Sequence, residues 1–270
     1  MEPILKGEKV FITGGGFSVG RACVERFMNE GAQVAFLDID GARVEAVKKA
    51  TGATGYVADI ADRRAVGLAI DDAAKKFGGL TVLVNTASSM LGGPITETTE
   101  QQLDRMYAVN LKGYFLATQA AIPHMLKAGK GSVVQVSSIA AVKPAYGESY
   151  AMFKAAQVAL AFQTGMEHGP TIRSNAILAG LLADSPRTQL LQSLPSFKAV
   201  LADHPNQRLT TSAEVADVCL YFASEMSRSQ NVTVVTADSG QTRPQPNLNA
   251  FFHASHPAGV ELINKLMAAK

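Results

Sequence analysis

Short apolar runs and helical patterns alternate along the first two-thirds of this 270-residue chain. The runs KVFIT (9–13), QVAFLD (33–38), GYVAD (55–59), TVLVN (81–85), SVVQVSS (132–138) and TIRSNAIL (171–178) read as strands. Several are apolar almost without interruption, the pattern of strands covered on both faces. Between them lie stretches such as GRACVERFMNEGA and AVGLAIDDAAKKFGG. In the first, Ala22, Val24, Phe27 and Met28 form an inward stripe and Gly31 a stop. A last strand, NVTVVTA (231–237), follows the helix SAEVADVCLYFAS. Alternation at this spacing builds βαβ units, and these dictate an α/β fold: a doubly wound, mainly parallel sheet with helices on both faces. No shift in composition marks a boundary, so residues 1–270 read as a single domain.

Two regions break the rhythm. Residues 179–211 carry no strand pattern and hold Leu181, Leu182, Leu190, Leu191, Leu194, Phe197, Val200 and Leu201, which marks a lid over a binding cleft. The extension 241–270 is rich in Pro and Asn and closes with the amphipathic stretch GVELINKLMAAK. Apolar residues make up 47% of the chain and charged residues 18%, which suits a buried core and excludes a disordered chain. A net charge of +2 without a Lys/Arg block gives no reason to expect nucleic acid or an anionic membrane as partner. No apolar run approaches the roughly 20 residues of a membrane span, and the start lacks signal-peptide order, so a cytoplasmic protein is expected. Cys23 and Cys219 lie far apart inside helical patterns and read as two buried free thiols. The five histidines supply no metal set. His253 and His256 stand in the irregular tail without a nearby carboxylate or cysteine, and no metal is expected.

The first strand runs directly into TGGGFSVG (13–20) and then a helix. Such a turn aims helix N–H groups and the positive end of the helix dipole at one point, which favours a pyrophosphate. By itself a glycine cluster signals only a tight turn. The next strand, however, ends in Asp38, 18 positions beyond Gly20. A carboxylate there accepts hydrogen bonds from an adenosine ribose and repels a 2′-phosphate. No arginine follows at once, Arg43 being five residues on, so NAD is favoured over NADP. Asp40 is better placed than Asp38 to cap the helix that begins near Gly41.

Tyr150 and Lys154, in SYAMFKAA, are four apart and share one face of a helix. An ammonium near a phenol lowers its pKa from ~10 toward working pH, so Tyr150 can accept or return the proton of an alcohol. SVVQVSS ends a strand with two hydroxyls, Ser137 and Ser138, at the end where α/β proteins bind ligands. A hydroxyl there can bond the reacting oxygen. Asn110 is polar within a largely apolar helical run and needs a partner; a kink with a bound water is one solution.

In their order and spacing, TGGGFSVG, Asp38, ADI with Asp59, LVNTA, VNLKG, VSS, YAMFK and IRSNAILAG resemble the short-chain dehydrogenase/reductase family over about residues 7–240. The resemblance implies a Rossmann fold of about seven parallel strands and a tetrad of Asn110, Ser138, Tyr150 and Lys154. In that scheme Tyr150 is the acid/base, and Lys154 binds the nicotinamide ribose while tuning Tyr150. Ser138 orients the substrate oxygen, and Asn110 holds a water in the proton relay. The resemblance also implies a cofactor site of Gly14, Gly16, Phe17, Ser18, Val19, Gly20, Asp38, Ile39, Asp59, Ile60, Asn85, Ala87, Gly180 and Leu182, with Tyr150 and Lys154. Asp59 is then near the adenine, and Asn85 supports the central strands. Association through long helices such as 99–126 and 149–167 implies a homotetramer or homodimer, with the apolar tail 259–268 in reach of a neighbour's pocket.

The chain also departs from the family pattern. Ser18 replaces the middle glycine of the turn. A helical φ there lets its hydroxyl cap the helix or bond a phosphate, whereas a positive φ costs about 1 kcal/mol or more. NTAS (85–88) puts Ser88 at a spot normally bare, and Ala179-Gly180 stands for Pro-Gly. Asp184 stands where a threonine commonly bonds the nicotinamide amide. The interval from Ser138 to Tyr150 is one residue short, which leaves Ser137 as the alternative. The expected activity is NAD-dependent oxidoreduction between a secondary alcohol and its ketone. The leucine-rich lid, with Met90 and Leu91 opposite, implies an apolar cyclic or aromatic small-molecule substrate; leucines that merely pack the lid or a subunit contact are the rival reading. Two other functions are weighed. One is an idle NAD(H)-binding regulator, prompted by the departures around the cofactor. The other is an enoyl reductase, prompted by SVG in the turn, which needs its tyrosine seven residues before the lysine, where Gly147 stands and Tyr146 is eight before.

Overall fold

Strands β1 (Lys9–Thr13), β2 (Gln33–Asp38), β3 (Thr54–Val57), β4 (Val82–Asn85), β5 (Gly131–Ser138), β6 (Ile172–Ala179) and β7 (Val234–Ala237) form one sheet in the computed structural model, which describes residues 2–91, 93–144, 149–192, 197, 201 and 204–242. The strand order is β3-β2-β1-β4-β5-β6-β7 and every pairing is parallel. The order reverses between β1 and β4, where Thr13 pairs with Asn85, so a crevice opens beyond those carboxyl ends. The strand runs anticipated from the sequence are all present. The last begins only at Val234, because Val232 takes a left-handed φ of +57° and the Asn231 carboxamide accepts from the Ser174 N–H.

Helices α1 (Ser18–Asn29), α2 (Gly41–Thr51), α3 (Arg63–Phe77), α4 (Glu100–Tyr107), α5 (Tyr114–Ala128), α6 (Ala151–His168), α7 (Pro186–Gln192) and α8 (Ser212–Ala223) connect the strands. Their ends follow local chemistry. Asp40 caps α2, as expected, by accepting from the Ala42 and Arg43 N–H groups, and Asp62 caps α3 in the same way. Capping boxes start α4 (Thr99 with Gln102) and α8 (Thr211 with Glu214). Between α4 and α5 the helix widens into a π segment, Ala108–Gly113, which is the form the kink at Asn110 takes.

Alternate strand residues feed two apolar layers. Val10, Ile12, Val34, Phe36, Val84 and Val134 face α1 and α8; Phe11, Leu37, Leu83 and Val133 face α3 and α5. Burial on both sides is what the near-continuous apolar strands require. On α1, Val24 and Phe27 are fully buried while Ala22 and Met28 pack at the margin. Cys23 and Cys219 are both buried and free, and they meet between α1 and α8. Burial, reinforced by Cys219, pushes the Cys23 thiol well above its ordinary pKa and leaves it unreactive.

Among the described residues no helix is long and apolar enough to cross a membrane, and no group of His, Cys, Asp and Glu could hold a metal ion. Leu194, Val200, Tyr146, Gly147 and the tail from residue 243, with His253, His256 and the 259–268 stretch, lie outside the described residues.

Candidate active site

The carboxyl ends of the central strands open on a cleft of about 730 Å³. At one end stands the turn after β1. Gly14 has φ +70°, and a Cβ at Gly20 would lie 2.0 Å from the Gly14 carbonyl oxygen. Only glycine lets α1 start this close to the turn. Unlike α2, α3, α4 and α8, helix α1 has no side-chain cap, its N-cap Phe17 being extended backbone. The first-turn N–H groups are therefore left for an anionic ligand at the cleft wall formed by Gly14, Phe17, Ser18, Val19 and Gly20.

Ser18 takes the strained alternative, with φ +49°. Its hydroxyl neither caps α1 nor faces a lone void; it lies 3.0 Å from the Ser212 hydroxyl at the start of α8. Ser212 in turn donates its N–H and hydroxyl to the Asp184 carboxylate at 3.1 Å. Asp184 thus anchors the segment after β6 to α8 and does not line the cleft, which corrects its expected place beside the nicotinamide.

Next to this turn lies Asp38. Only 6% exposed, it accepts from the Gly16 N–H at 3.0 Å through Oδ2 and from the Asp40 N–H at 3.1 Å through Oδ1. Gly16 is therefore an anchor for Asp38, set behind the cleft wall. Ile39, Asp59, Ile60 and Ala87 line the wall as anticipated. The Arg105 guanidinium lies 2.7 Å from Asp59, a contact that no spacing in the sequence announces. Burial opposes the charge on Asp59, yet the hydrogen bonds from Arg105 and the Ala61 N–H hold its carboxyl below the usual range. Arg43 is five residues beyond Asp38 along the chain, but the first turn of α2 returns it to the cleft. Its guanidinium lies 4.6 Å from the centre of the Phe17 ring and its Nε 3.2 Å from Asp40.

Asn85 is fully buried and stitches the sheet. It accepts from the Thr13 hydroxyl at 3.1 Å and donates to Thr118 at 3.3 Å and Gln135 at 3.0 Å. It lies behind the cleft lining, so it supports the strands and makes no wall of the cofactor site. Asn110 is also fully buried and off the wall. Its side chain accepts from the Ser89 N–H and the Ser88 hydroxyl, and donates to the Ser89 carbonyl at 2.7 Å. Ser88 therefore braces Asn110 instead of merely crowding the cleft, and the Asn110 carboxamide is spent on the β4 loop.

Tyr150 stands immediately before α6, and Lys154 lies in its first turn. Lys154 is only 3% exposed. Its Nζ donates to the Val136 carbonyl at 3.1 Å and to the Gln157 side-chain oxygen at 3.0 Å, and lies 5.6 Å from the centre of the Tyr150 ring. Burial pulls its ammonium from 10.5 down to about 7. The Ser138 oxygen accepts from the Ala140 N–H at 3.1 Å and keeps its O–H as a donor. Ser137 instead donates to the Lys154 carbonyl at 2.7 Å and so serves the helix. Tyr150, Lys154, Ser138, Gly180 and Leu182 all border the cleft. From the lid the cleft takes Leu182, Ser185, Pro186 and Arg187, while Leu190 on α7 is 72% exposed. Among the described lid leucines only Leu182 borders the cleft. Met90 and Leu91 do border the opposite side.

Known proteins share both pattern and shape. The family model described as Enoyl-(Acyl carrier protein) reductase matches residues 15–242. The chain is 33% identical over 249 residues to "Probable galactose dehydrogenase GalD" of Rhizobium meliloti, covering 88% of this chain and 96% of that one. It is 30% identical to cis-1,2-dihydrobenzene-1,2-diol dehydrogenase of Pseudomonas putida, covering 82% of this chain and 86% of that one. The crystal structure of levodione reductase superimposes with a TM-score of 0.82 at 28% identity, covering 88% of this chain and 98% of that one.

Proposed function

Because the chain belongs to the short-chain dehydrogenase/reductase family, whose members are oxidoreductases that bind a nicotinamide dinucleotide, we propose that it interconverts a secondary alcohol and its ketone with NAD. The carrying observation is the buried Lys154 ammonium set 5.6 Å from the Tyr150 ring, with the Ser138 hydroxyl on the same cleft. The uncapped start of α1 and the Gly14–Gly20 contact fit a pyrophosphate, and Asp38 fits an unphosphorylated ribose. Two backbone N–H groups hold the Asp38 carboxylate at the wall, where a 2′-phosphate would meet its charge. Arg43, whose Nε pairs with Asp40, leaves that charge in place. Bound there, the dinucleotide supplies the two-electron donor or acceptor that the side chains lack.

The chain's own groups handle the proton. Ser138 donates to the reacting oxygen, Tyr150 gives or takes its proton, and the positive charge on Lys154 favours the ionised phenol. Met90, Leu91, Leu182 and Pro186 support an apolar, ring-shaped substrate, as does the relative named for a cyclic dihydrodiol; the relative named for galactose shares the ring but not the apolar character. Exposed Leu103, Tyr107, Phe115 and Met166 on α4, α5 and α6 support self-association through these helices. The enoyl reductase alternative has Gly147 where it needs a tyrosine.

The test is Tyr150→Phe. Turnover of cyclic secondary alcohols falls about 10²–10⁴-fold while NAD binding, followed by calorimetry, is retained. An unchanged rate in the variant refutes the mechanism, and tighter binding of NADP than of NAD by the parent refutes the cofactor assignment.

A further inference from the structure

Gln157 is fully buried, one helical turn past Lys154 on the same face of α6. Its amide joins Lys154 to the Asn110 backbone and also lies against the Tyr114 hydroxyl. The Nε2 donates to the Asn110 carbonyl at 2.6 Å, and the Oε1 accepts from Lys154 Nζ at 3.0 Å. The assignment of the two amide atoms is fixed by chemistry, since a flipped amide would set an NH₂ against an ammonium and an oxygen against a carbonyl. The Asn110 carbonyl is available because it belongs to the π segment Ala108–Gly113, whose wider turns displace carbonyls from the regular helical ladder. The carboxamide of Asn110 is meanwhile tied to Ser88 and Ser89.

We propose that Gln157 is a positioning residue for Lys154, filling with a fixed amide the gap between lysine and the backbone carbonyl of Asn110, the residue expected to hold a relay water. The claim rests on the oxidoreductase reading for its catalytic meaning, though the contacts themselves do not. An amide bridge differs from water in one decisive respect. A water can accept one proton while releasing another, whereas a neutral amide holds its hydrogens. The bridge therefore fixes Lys154 and ends proton transfer at that point, and the proton handled by Tyr150 leaves through the open cleft.

The groups facing Lys154 define what the amide does. Tyr150 comes from the start of α6, Tyr114 from α5 with its ring centre 5.7 Å away, and the Val136 carbonyl from β5. Burial pushes the Tyr114 hydroxyl well up, so it stays neutral and donates to the Val136 carbonyl at 3.1 Å. No carboxylate forms an ion pair with Lys154 among the described residues. The Gln157 oxygen is thus one of two carbonyl-type acceptors that favour the charged lysine against its burial.

Three proteins test this: parent, Gln157→Leu and Gln157→Ala. Leucine fills the space but accepts nothing, while alanine leaves room for a water to bridge the same groups. The Lys154 amine is followed by NMR as a function of pH in 15N-lysine-labelled protein without cofactor, and thermal stability and kcat are measured beside it. In Gln157→Leu the amine titrates about one pH unit lower and kcat at neutral pH falls about tenfold. Gln157→Ala lies between it and the parent in both readouts, yet is the less stable of the two because it leaves a cavity. A residue that only packs would give the reverse order, with alanine worse than leucine in every measurement. That order, or a lysine titration identical in all three proteins, overturns the proposal. Tyr150→Phe separates the two readings: activity surviving there removes the oxidoreductase mechanism and leaves the lysine titration to judge Gln157 alone.

Discussion

Replacing Lys154 with Met tests the electrostatics of the site without emptying it, because methionine keeps most of the stem and loses the charge. The folded lysine gives up its proton at about 7 against an ordinary 10.5, so the unfolded chain binds more protons between those values. Stability then rises with pH across that window. Taken at 1.36 kcal/mol per unit, burying the lysine costs about 4 kcal/mol at pH 7 and about 2 kcal/mol at pH 9. The full cost is present below about pH 7 and vanishes above pH 10.5. Methionine carries no such cost at any pH. It does leave the Gln157 oxygen without its donor, a loss of about 1–3 kcal/mol that does not vary with pH. The readout is accordingly a slope. Thermal unfolding of both proteins at pH 6, 7, 8 and 9 cancels the titrations they share. The difference in Tm, variant minus parent, should shrink by roughly 4–8 °C from pH 7 to pH 9. A difference that stays flat would mean that Lys154 titrates at its ordinary value in the folded protein, and the account of a lysine whose charge is disfavoured by burial would fail. Turnover by the variant should be lost at every pH, so the charge that weakens the fold is the one that the chemistry needs.

Two further outcomes follow from packing. Asn85→Leu strips partners from Thr13, Thr118 and Gln135 in the buried network, and is expected to cost about 3–5 kcal/mol, a fall in Tm of roughly 10 °C or more; a change under 2 °C would show that the network adds nothing. Gly20→Ala puts a methyl 2.0 Å from the Gly14 carbonyl oxygen, so NAD binding by calorimetry should weaken at least tenfold, and parental affinity would contradict the closed turn.

What could be read ahead of the structure was whatever depends on neighbours along the chain. Continuous apolar runs identified the strands, Asp40 followed by Gly41 identified a capped helix, and the four-residue step from Tyr150 to Lys154 identified a shared helix face. Contacts that arise only when the sheet assembles were not legible. Nothing in the spacing of Cys23 and Cys219 announces that they meet, and nothing local pairs Arg105 with Asp59. Arg43 looked remote from Asp38 because distance was counted in residues, while a helix turn shortens it in space. Asp184 was assigned by position in a pattern, yet the unbonded N–H at the start of α8 claims its carboxylate. Gln157 did carry a signal, a polar residue three past Lys154 on a helix otherwise apolar there, and its meaning depended on the π segment, which periodicity does not reveal.

The contact between Ser18 and Ser212 joins two parts of the molecule with different duties. Through Asp184 it runs from the turn after β1 to the segment after β6, so both are tied to the start of α8. Two hydroxyls and a carboxylate thereby set where the β1 turn and the segment after β6 meet, with no backbone pairing between them among the described residues.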